Sequence, residues 1–361
     1  MRKFMVLVAS VAAVFGLVTP VGAAVEQFVL PAPTGRHPVG MTKLHLVDRD
    51  RLDPWVPTGP RELMVSVWYP AAADRGPRAP YATAEESRTL LELYGITGVP
   101  ADSLTRVRTN AHAEAPPLRT SHRLPLVVLS PGLAFPRWTL TTLAEDLASR
   151  GYVVVGVDHT YEGAAVTFPD GRVAECVVCD GGASGAAIAA SRAVDISFVL
   201  DNVLRRFARL VDPHRIAVAG HSMGGAAAAT TMLADPRVDA GVNLDGSFQP
   251  ALETDLARPF LGISAEDRRP GANPSWDATW PHLTGWRRWL HVPGMQHAAA
   301  SDVAVIGEWL GLPGPPLAGD RIIQILRTYV AAFTDEHLRN RPSPLLAGPS
   351  PRFPEVEFAA R

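Results

Sequence analysis

Residues 219–225 read Ala-Gly-His-Ser-Met-Gly-Gly, and this stretch decides the fold prediction for the chain. It contains the pattern Gly-x-Ser-x-Gly centred on Ser222. An apolar, β-branched run at residues 215–218 comes directly before it, and an alanine-rich segment typical of a helix follows at residues 226–233. A strand, a glycine-flanked serine and a helix predict a tight turn that exposes the serine hydroxyl at a helix N-terminus. The unpaired backbone N–H groups of such a terminus suit a developing oxyanion.

The composition is that of a globular protein with a large core. The chain has 361 residues, of which 47% are hydrophobic and 19% are charged. Its formal net charge is −2, so the chain lacks the excess of positive charge that is typical of nucleic-acid-binding proteins, and we expect no nucleic-acid partner. Chains of this length and composition often fold as one α/β domain.

Apolar strands alternate with helical segments along most of the chain. Strands are predicted at residues 42–47, 62–68, 124–129, 152–157, 216–219, 238–244, 259–263 and 288–292, and helices at residues 138–149, 186–210 and 320–336. This alternation predicts an α/β fold with a mostly parallel sheet covered by helices on both faces. The long connection at residues 71–122 carries a capping box at residues 83–86 and one short helix. It is either a cover for the active site or a packed surface excursion. We expect the proline-rich tail from residue 341 to pack as an extended strap.

The N-terminus has the pattern of a secretory signal peptide. Arg2 and Lys3 precede an apolar stretch at residues 4–18, and small residues follow at 21–24. The alternative is a membrane anchor, but a span needs about 20 apolar residues. We therefore expect residues 1–24 to be a cleaved signal and residues 25–361 to form a single domain. The mature protein is expected to be secreted, without stable membrane insertion.

Two cysteines, Cys176 and Cys179, form the chain's one C-x-x-C pattern. This spacing is compatible with redox work or with half of a metal site, but the chain lacks the second pair that a four-cysteine zinc site needs. In an oxidising compartment the simpler interpretation is a local disulfide that pins a loop.

The serine needs a histidine as base and a carboxylate that orients the histidine. Four histidines follow a plausible acid, and three of them are less suitable: His282 lies in a tryptophan-rich helical segment, His291 inside a strand and His337 near the end of a long helix. His297 follows the last predicted strand by a short loop, where a catalytic histidine is expected.

Two aspartates could orient this histidine. Asp245 and Asp267 both follow predicted strands, at the edge where sites of open α/β sheets form. The residues alone leave the choice between them open. Either carboxylate could instead pair with a nearby arginine such as Arg268 or Arg269.

Two backbone N–H groups are needed to hold the oxyanion. One is expected from Met223, the residue after the nucleophile. The other is expected from Leu133, in the Ser-Pro-Gly-Leu loop at residues 130–133 that follows a buried strand.

Four segments together resemble the platelet-activating factor acetylhydrolase family, the plasma and intracellular type II group, within the α/β-hydrolase superfamily. They are residues 130–133, 220–225, 243–245 and 294–297. The resemblance runs from about Trp68 to the tail. In that family the acid lies shortly after the nucleophile, which implies Asp245, with Asp267 in reserve. The elbow is also similar to that of secreted bacterial lipases and polyester hydrolases, which carry the acid one strand later, where Asp267 stands.

The resemblance implies an α/β-hydrolase fold and a secreted serine esterase with Ser222, His297 and Asp245 as its triad. It implies hydrolysis of carboxylic esters, with a short acyl group of a lipid ester as the expected substrate. It implies no metal or cofactor, and we expect a monomer. The alternatives are a lipase-like, cutinase-like or polyester hydrolase with the same triad, and a catalytically silent binding protein on the same fold.

Overall fold

The structure is a computed structural model that describes residues 27–265 and 268–360. Its strands, in chain order, are β1 (Phe28–Val29), β2 (Val39–Leu52), β3 (Pro60–Pro70), β4 (Arg78–Pro80), β5 (Val107–Ala113), β6 (Leu124–Ser130), β7 (Val153–His159), β8 (Ala165–Thr167), β9 (Val173–Glu175), β10 (Val211–His221), β11 (Ala240–Leu244), β12 (Phe260–Ser264), β13 (Arg287–His291) and β14 (Glu357–Ala360). Its α-helices are α1 (Ala84–Leu93), α2 (Thr141–Ser149), α3 (Gly185–Arg206), α4 (Met223–Ala234), α5 (Pro274–Thr279), α6 (Val303–Trp309) and α7 (Gly319–Arg339).

One large sheet organises the molecule, in the order β1-β5-β2-β3-β7-β6-β10-β11-β12-β13-β14, with β4 paired to β5. The six strands from β7 to β13 in this order are mutually parallel. Strand β3 runs antiparallel to both β2 and β7, and β14 runs antiparallel to β13, whereas β2 and β5 are parallel. Because the carboxyl ends of parallel strands meet at one edge, the loops after β6, β10, β11 and β13 converge there. The predicted α/β-hydrolase architecture is confirmed.

The central strands β6, β7, β11 and β12 are buried at every position, because helices cover both faces of the sheet. In β6, Val127 and Leu129 contribute to one core cluster, whereas Leu126 and Val128 contribute to the other. The first cluster is closed by α2 and α7, and the second by α3 and α4. Strands buried on both faces have near-continuous apolar runs, which is what the sequence shows.

The connection at residues 71–122 is more structured than the sequence indicated. Helix α1 begins after a capping box in which the Thr83 hydroxyl accepts from the Glu86 amide and the Glu86 carboxylate accepts from the Thr83 amide, as predicted. The connection also contains β4, β5 and a short 3-10 helix at Ser103–Arg106. Strand β5 was not predicted, because polar side chains interrupt its apolar positions. It pairs with three other strands, β1, β2 and β4, so the connection is part of the main sheet.

The tail packs along the edge of the sheet. After a 3-10 turn at Pro344–Leu346 it ends in β14, which pairs antiparallel to β13. The predicted signal peptide at residues 1–24 lies outside the described residues. None of the helices within the described ranges combines the length and apolar character needed to cross a membrane.

Candidate active site

The turn between β10 and α4 presents Ser222 on a strained backbone. Ser222 has φ 54° and ψ −119°, a conformation that residues with a side chain rarely adopt. The preceding strand is fixed to its neighbour because the Ser222 amide donates to the Leu244 carbonyl at 2.9 Å. Helix α4 starts at the next residue, so the serine hydroxyl stands at the helix N-terminus.

The glycines of the turn allow backbone segments to approach one another closely. A Cβ on Gly220 would lie 2.2 Å from the Gly224 carbonyl carbon, and a Cβ on Gly224 would lie 1.9 Å from the Ser130 carbonyl oxygen. A Cβ on Gly132 would lie 2.9 Å from His221 Nδ1. The loop that follows β6 is therefore packed directly against the serine turn, and no side chain fits between them.

His297 lies beside Ser222, at the start of a 3-10 helix (His297–Ala300) that follows β13. Its Nε2 is 2.9 Å from the Ser222 Oγ, and its Nδ1 is 2.5 Å from Asp245 Oδ2. A carboxylate only accepts hydrogen bonds, so the proton of the neutral ring is on Nδ1 and Nε2 is free to accept the serine proton. The geometry allows general-base activation of the hydroxyl.

The other three candidate histidines lie elsewhere. His291 ends β13, with its ring facing the Ser264 hydroxyl, and His282 contacts the Asp255 carboxylate. The His337 ring packs against Trp286 and Phe333.

Asp245 is fully buried at the end of β11 and is held on three sides. Its backbone has φ 57°, its Oδ1 accepts from the Ala265 amide at 2.7 Å, and its Oδ2 accepts from Arg268 at 2.7 Å. Burial by itself would raise the pKa of the Asp245 carboxyl. The hydrogen bond and charge of His297, the charge of Arg268 and the Ala265 amide together hold that pKa below its ordinary value. Asp267, the reserve acid, lies outside the described residues.

His221 connects the serine turn to the histidine loop, a role that the sequence did not reveal. Its Nε2 is 2.9 Å from the His297 carbonyl oxygen, so Nε2 carries the proton and donates it. Burial, followed by the charge of His297, lowers the pKa of His221 to about 3. The ring is therefore neutral at ordinary pH and acts as a fixed donor that supports the backbone of His297.

The two predicted oxyanion residues share one small apolar cluster. Met223 packs there with Val178 and Ile188, and Leu133 packs against the same cluster. The Met223 amide, in the first turn of α4, has no acceptor within its own helix. The residue after Leu133 is tied down, because the Ala134 amide donates to the Glu162 carbonyl at 2.8 Å. Both predicted donors thus lie on segments that border the serine turn.

A cluster of buried charged residues contacts the loop at residues 130–133. Arg192 donates through Nε to Glu162 at 2.6 Å and through a terminal nitrogen to the Pro131 carbonyl. Next to it, the Ser130 hydroxyl is 3.0 Å from His159, whose other ring nitrogen is 2.9 Å from Asp195. These residues are at most 2% exposed, so this second serine–histidine–aspartate chain has no access to substrate. It holds the loop in place.

Cys176 and Cys179 form a disulfide bond. Cys176 packs against the cluster that contains Met223, so the disulfide lies on the wall of the site next to the predicted oxyanion residues. Within residues 27–265 and 268–360, no group of three or more His, Cys, Asp or Glu side chains is arranged to hold a metal ion.

An apolar pocket opens beside His297. It encloses about 610 Å³ including its open mouth. One wall comes from the connection at residues 71–122, with Tyr81, Leu90 and Tyr94, and the opposite wall comes from α6. Phe135 and Ala298 line the pocket and link it to the site, because Phe135 packs edge-on against His221 and Ala298 follows the base.

Two family models and several curated proteins are similar to this chain. Residues 127–358 match the model of the alpha/beta hydrolase family, and residues 23–175 match that of platelet-activating factor acetylhydrolase, isoform II. The chain is 28% identical to a probable 1-alkyl-2-acetylglycerophosphocholine esterase of Arthroderma benhamiae, over 92% of this chain and 94% of that protein. It is 24% identical to platelet-activating factor acetylhydrolase of Cavia porcellus, over 68% of this chain and 62% of that protein.

A solved structure is also similar over nearly the whole chain. The ferulic acid esterase of Streptomyces cinnamoneus has a TM-score of 0.84 and 44% identity, covering 92% of this chain and all of that one. These similarities confirm the resemblance predicted from the sequence motifs.

The close approach at Gly224 leads to a first prediction. The variant Gly224→Ala must displace the Ser130 carbonyl, which moves the loop that carries Leu133. We expect kcat for p-nitrophenyl acetate to fall by about 10²- to 10³-fold, the usual cost of losing one oxyanion donor. Gly59→Ala is the control, because a Cβ at Gly59 meets nothing within 4 Å. A Gly224→Ala enzyme with the kcat of the wild type would show that the loop does not contribute a donor.

Proposed function

The chain belongs to the alpha/beta hydrolase family and hydrolyses carboxylic esters, and from that premise we propose that it is a secreted esterase with Ser222 as nucleophile, His297 as general base and Asp245 as the acid. One observation carries the proposal: a single imidazole lies 2.9 Å from a serine hydroxyl and 2.5 Å from a buried carboxylate.

The reaction proceeds in two halves. His297 Nε2 takes the proton of Ser222 as the hydroxyl oxygen attacks the ester carbonyl, and the tetrahedral oxyanion accepts from the Leu133 and Met223 amides. The imidazolium then gives its proton to the leaving alcohol, and an acyl-enzyme remains. Water, deprotonated by the same nitrogen, attacks the acyl carbonyl, and the second oxyanion collapses to release the carboxylic acid and Ser222. Asp245 stays ionised and stabilises the imidazolium in both halves.

The proposed substrates are lipid esters that lose a short acyl group. The similarity to a probable 1-alkyl-2-acetylglycerophosphocholine esterase supports this class. The apolar pocket beside His297 suits the alkyl chain of such a lipid, because its lining offers hydrocarbon and aromatic surface.

A second candidate is the release of an aromatic acyl group. Four aromatic side chains line the pocket, and two pairs of them are in ring contact: Tyr81 with Trp138 and Tyr94 with Phe135. A planar aryl group stacks well on such walls. The similarity to a ferulic acid esterase favours this candidate over the polyester-hydrolase alternative.

We also propose that the protein is exported. The pattern of residues 1–24 supports this, and so does the disulfide, which persists in oxidising compartments.

The proposed triad predicts a sharp contrast between two aspartates. Asp245→Asn should lower kcat by about 10³- to 10⁴-fold, because the amide cannot hold the productive tautomer of His297 or stabilise its positive charge. Asp255→Asn, at an exposed carboxylate that contacts His282, is the matched control and should keep the wild-type kcat. Steady-state hydrolysis of p-nitrophenyl acetate measures both. Equal losses in the two variants would remove Asp245 from the mechanism.

The pocket can be tested by filling it. Gly307, in α6, lines the pocket, and a Cβ there meets nothing within 4 Å, so Gly307→Phe adds a ring at the pocket wall without a clash at Cβ. We expect kcat/KM for a long-chain or aryl ester to fall by about 10- to 200-fold while that for p-nitrophenyl acetate changes by less than about twofold. Gly59→Phe is the surface control. A parallel loss on both substrates would indicate that the pocket does not select substrates.

A panel of esters ranks the two candidate classes. Higher kcat/KM for 1-alkyl-2-acetylglycerophosphocholine than for methyl ferulate supports the lipid ester, and the reverse order supports the aromatic acyl group.

Export predicts a defined mature N-terminus. When the full chain is expressed in a secreting bacterial host, N-terminal sequencing of the protein in the medium should begin at Ala24 or Val25. Intact protein that starts at Met1 and stays with the cells would contradict export by this signal.

A further inference from the structure

Arg268 lies against the proposed acid. It is 5% exposed, just after β12, and its amide donates to the Ala265 carbonyl at 3.0 Å, which closes a turn. The same turn contacts Asp245 twice: the Ala265 amide donates to Oδ1 and the Arg268 guanidinium to Oδ2, each at 2.7 Å. Oδ2 is also the oxygen that accepts from His297. One carboxylate oxygen is therefore shared between a permanent cation and the proposed base.

This sharing has two consequences. The two contacts from the turn fix the plane of the carboxylate, and Oδ2 is thereby aimed at His297 Nδ1. The guanidinium also offsets part of the negative charge that would stabilise a protonated imidazole. A buried cation acts at close range and is screened little by salt.

The charged and titratable groups around the Asp245–His297 pair come from two elements in the part of the chain that the structure describes. Arg268 approaches from the turn after β12, and His221 approaches from the end of β10, its ring centroid 4.9 Å from that of His297. His221 is neutral at ordinary pH. Among residues 27–265 and 268–360, Arg268 is therefore the permanent positive charge that contacts the pair.

We propose that Arg268 is a positioning residue that aims the Asp245 carboxylate at His297 and, through its charge, helps to set the pH below which the triad loses activity. The proposal rests on the proposed function, because it assigns to Arg268 an effect on that triad. Arg268 thereby extends the pH range in which the enzyme is active toward acid pH.

The direction of the expected change follows from charge. Activity on the acid side rises with pH as His297 loses its proton. Removing the guanidinium favours the protonated ring, so the ring stays protonated to higher pH. The acid limb of the kcat/KM profile must then move up in pH when Arg268 loses its charge.

The test measures kcat/KM for p-nitrophenyl acetate between about pH 5 and about pH 9. Arg268→Gln should move the midpoint of the acid limb up by about one pH unit. Arg268→Lys keeps the charge but not the planar fork, so its limb should stay within about 0.3 pH unit while kcat falls about threefold. Arg269→Gln removes an equal charge from an exposed neighbouring side chain and should superimpose on the wild type.

Several outcomes overturn the proposal. An unmoved acid limb in folded Arg268→Gln, an equal shift in Arg269→Gln, or an upward shift in Arg268→Lys would each show that the charge does not act on the base. If Arg268→Gln does not fold, Arg268→Met and Arg268→Lys carry the same comparison. Failure of the proposed function is distinguishable, because Ser222→Ala would then keep the wild-type activity whatever the Arg268 variants do.

Discussion

The site depends on the register of three neighbouring strands. Gly220 in β10 pairs with Ser130 in β6 and with Asn243 in β11, so all three strands end at one level. The turn after β6 carries Leu133, the turn after β10 carries the nucleophile Ser222, and the turn after β11 carries the acid Asp245. These three turns therefore lie next to one another. A slip of one residue in any pair would turn the alternate side chains to the other face of the sheet. The glycines at the serine turn allow this convergence because they remove the atoms that would separate the three backbones.

The site is rigid because charge and backbone contacts hold it from beneath. Arg61 is fully buried and contacts both Asp53 and Asp195, while Arg192 joins Glu162 to the Pro131 carbonyl. Desolvation of the buried ions offsets much of the attraction between them, so such a cluster adds less to stability than its contacts suggest. Its effect is on geometry. The carbonyl that Arg192 holds lies two residues before the predicted oxyanion donor Leu133, and Arg268 holds Asp245 in the same manner.

The features that could be predicted from the sequence alone are those that short stretches of residues determine. The serine turn, the parallel sheet and the capping box at Thr83 follow from short-range preferences of glycine, apolar runs and polar caps. The structure brings Ser222, His297 and Asp245 together, although the choice between Asp245 and Asp267 needed the family resemblance. Arg192 was missed as a supporting residue because only folding brings it to its carboxylate and carbonyl partners. Arg268 was named only as an alternative partner of the carboxylates, whereas in the structure it contacts Asp245 together with His297. Strand β5 was missed because its polar side chains conceal a pairing that the neighbouring strands determine.

In the proposed mechanism, Ser222 carries the acyl group between the two halves of the reaction. Rapid acid quenching during turnover of p-nitrophenyl acetate, followed by peptide mass spectrometry, tests it most directly. We expect an acetyl group on the peptide that contains Ser222, and this group should form and decay at the rate of turnover. Acylation of a different residue, or turnover with no covalent intermediate on this peptide, would contradict it.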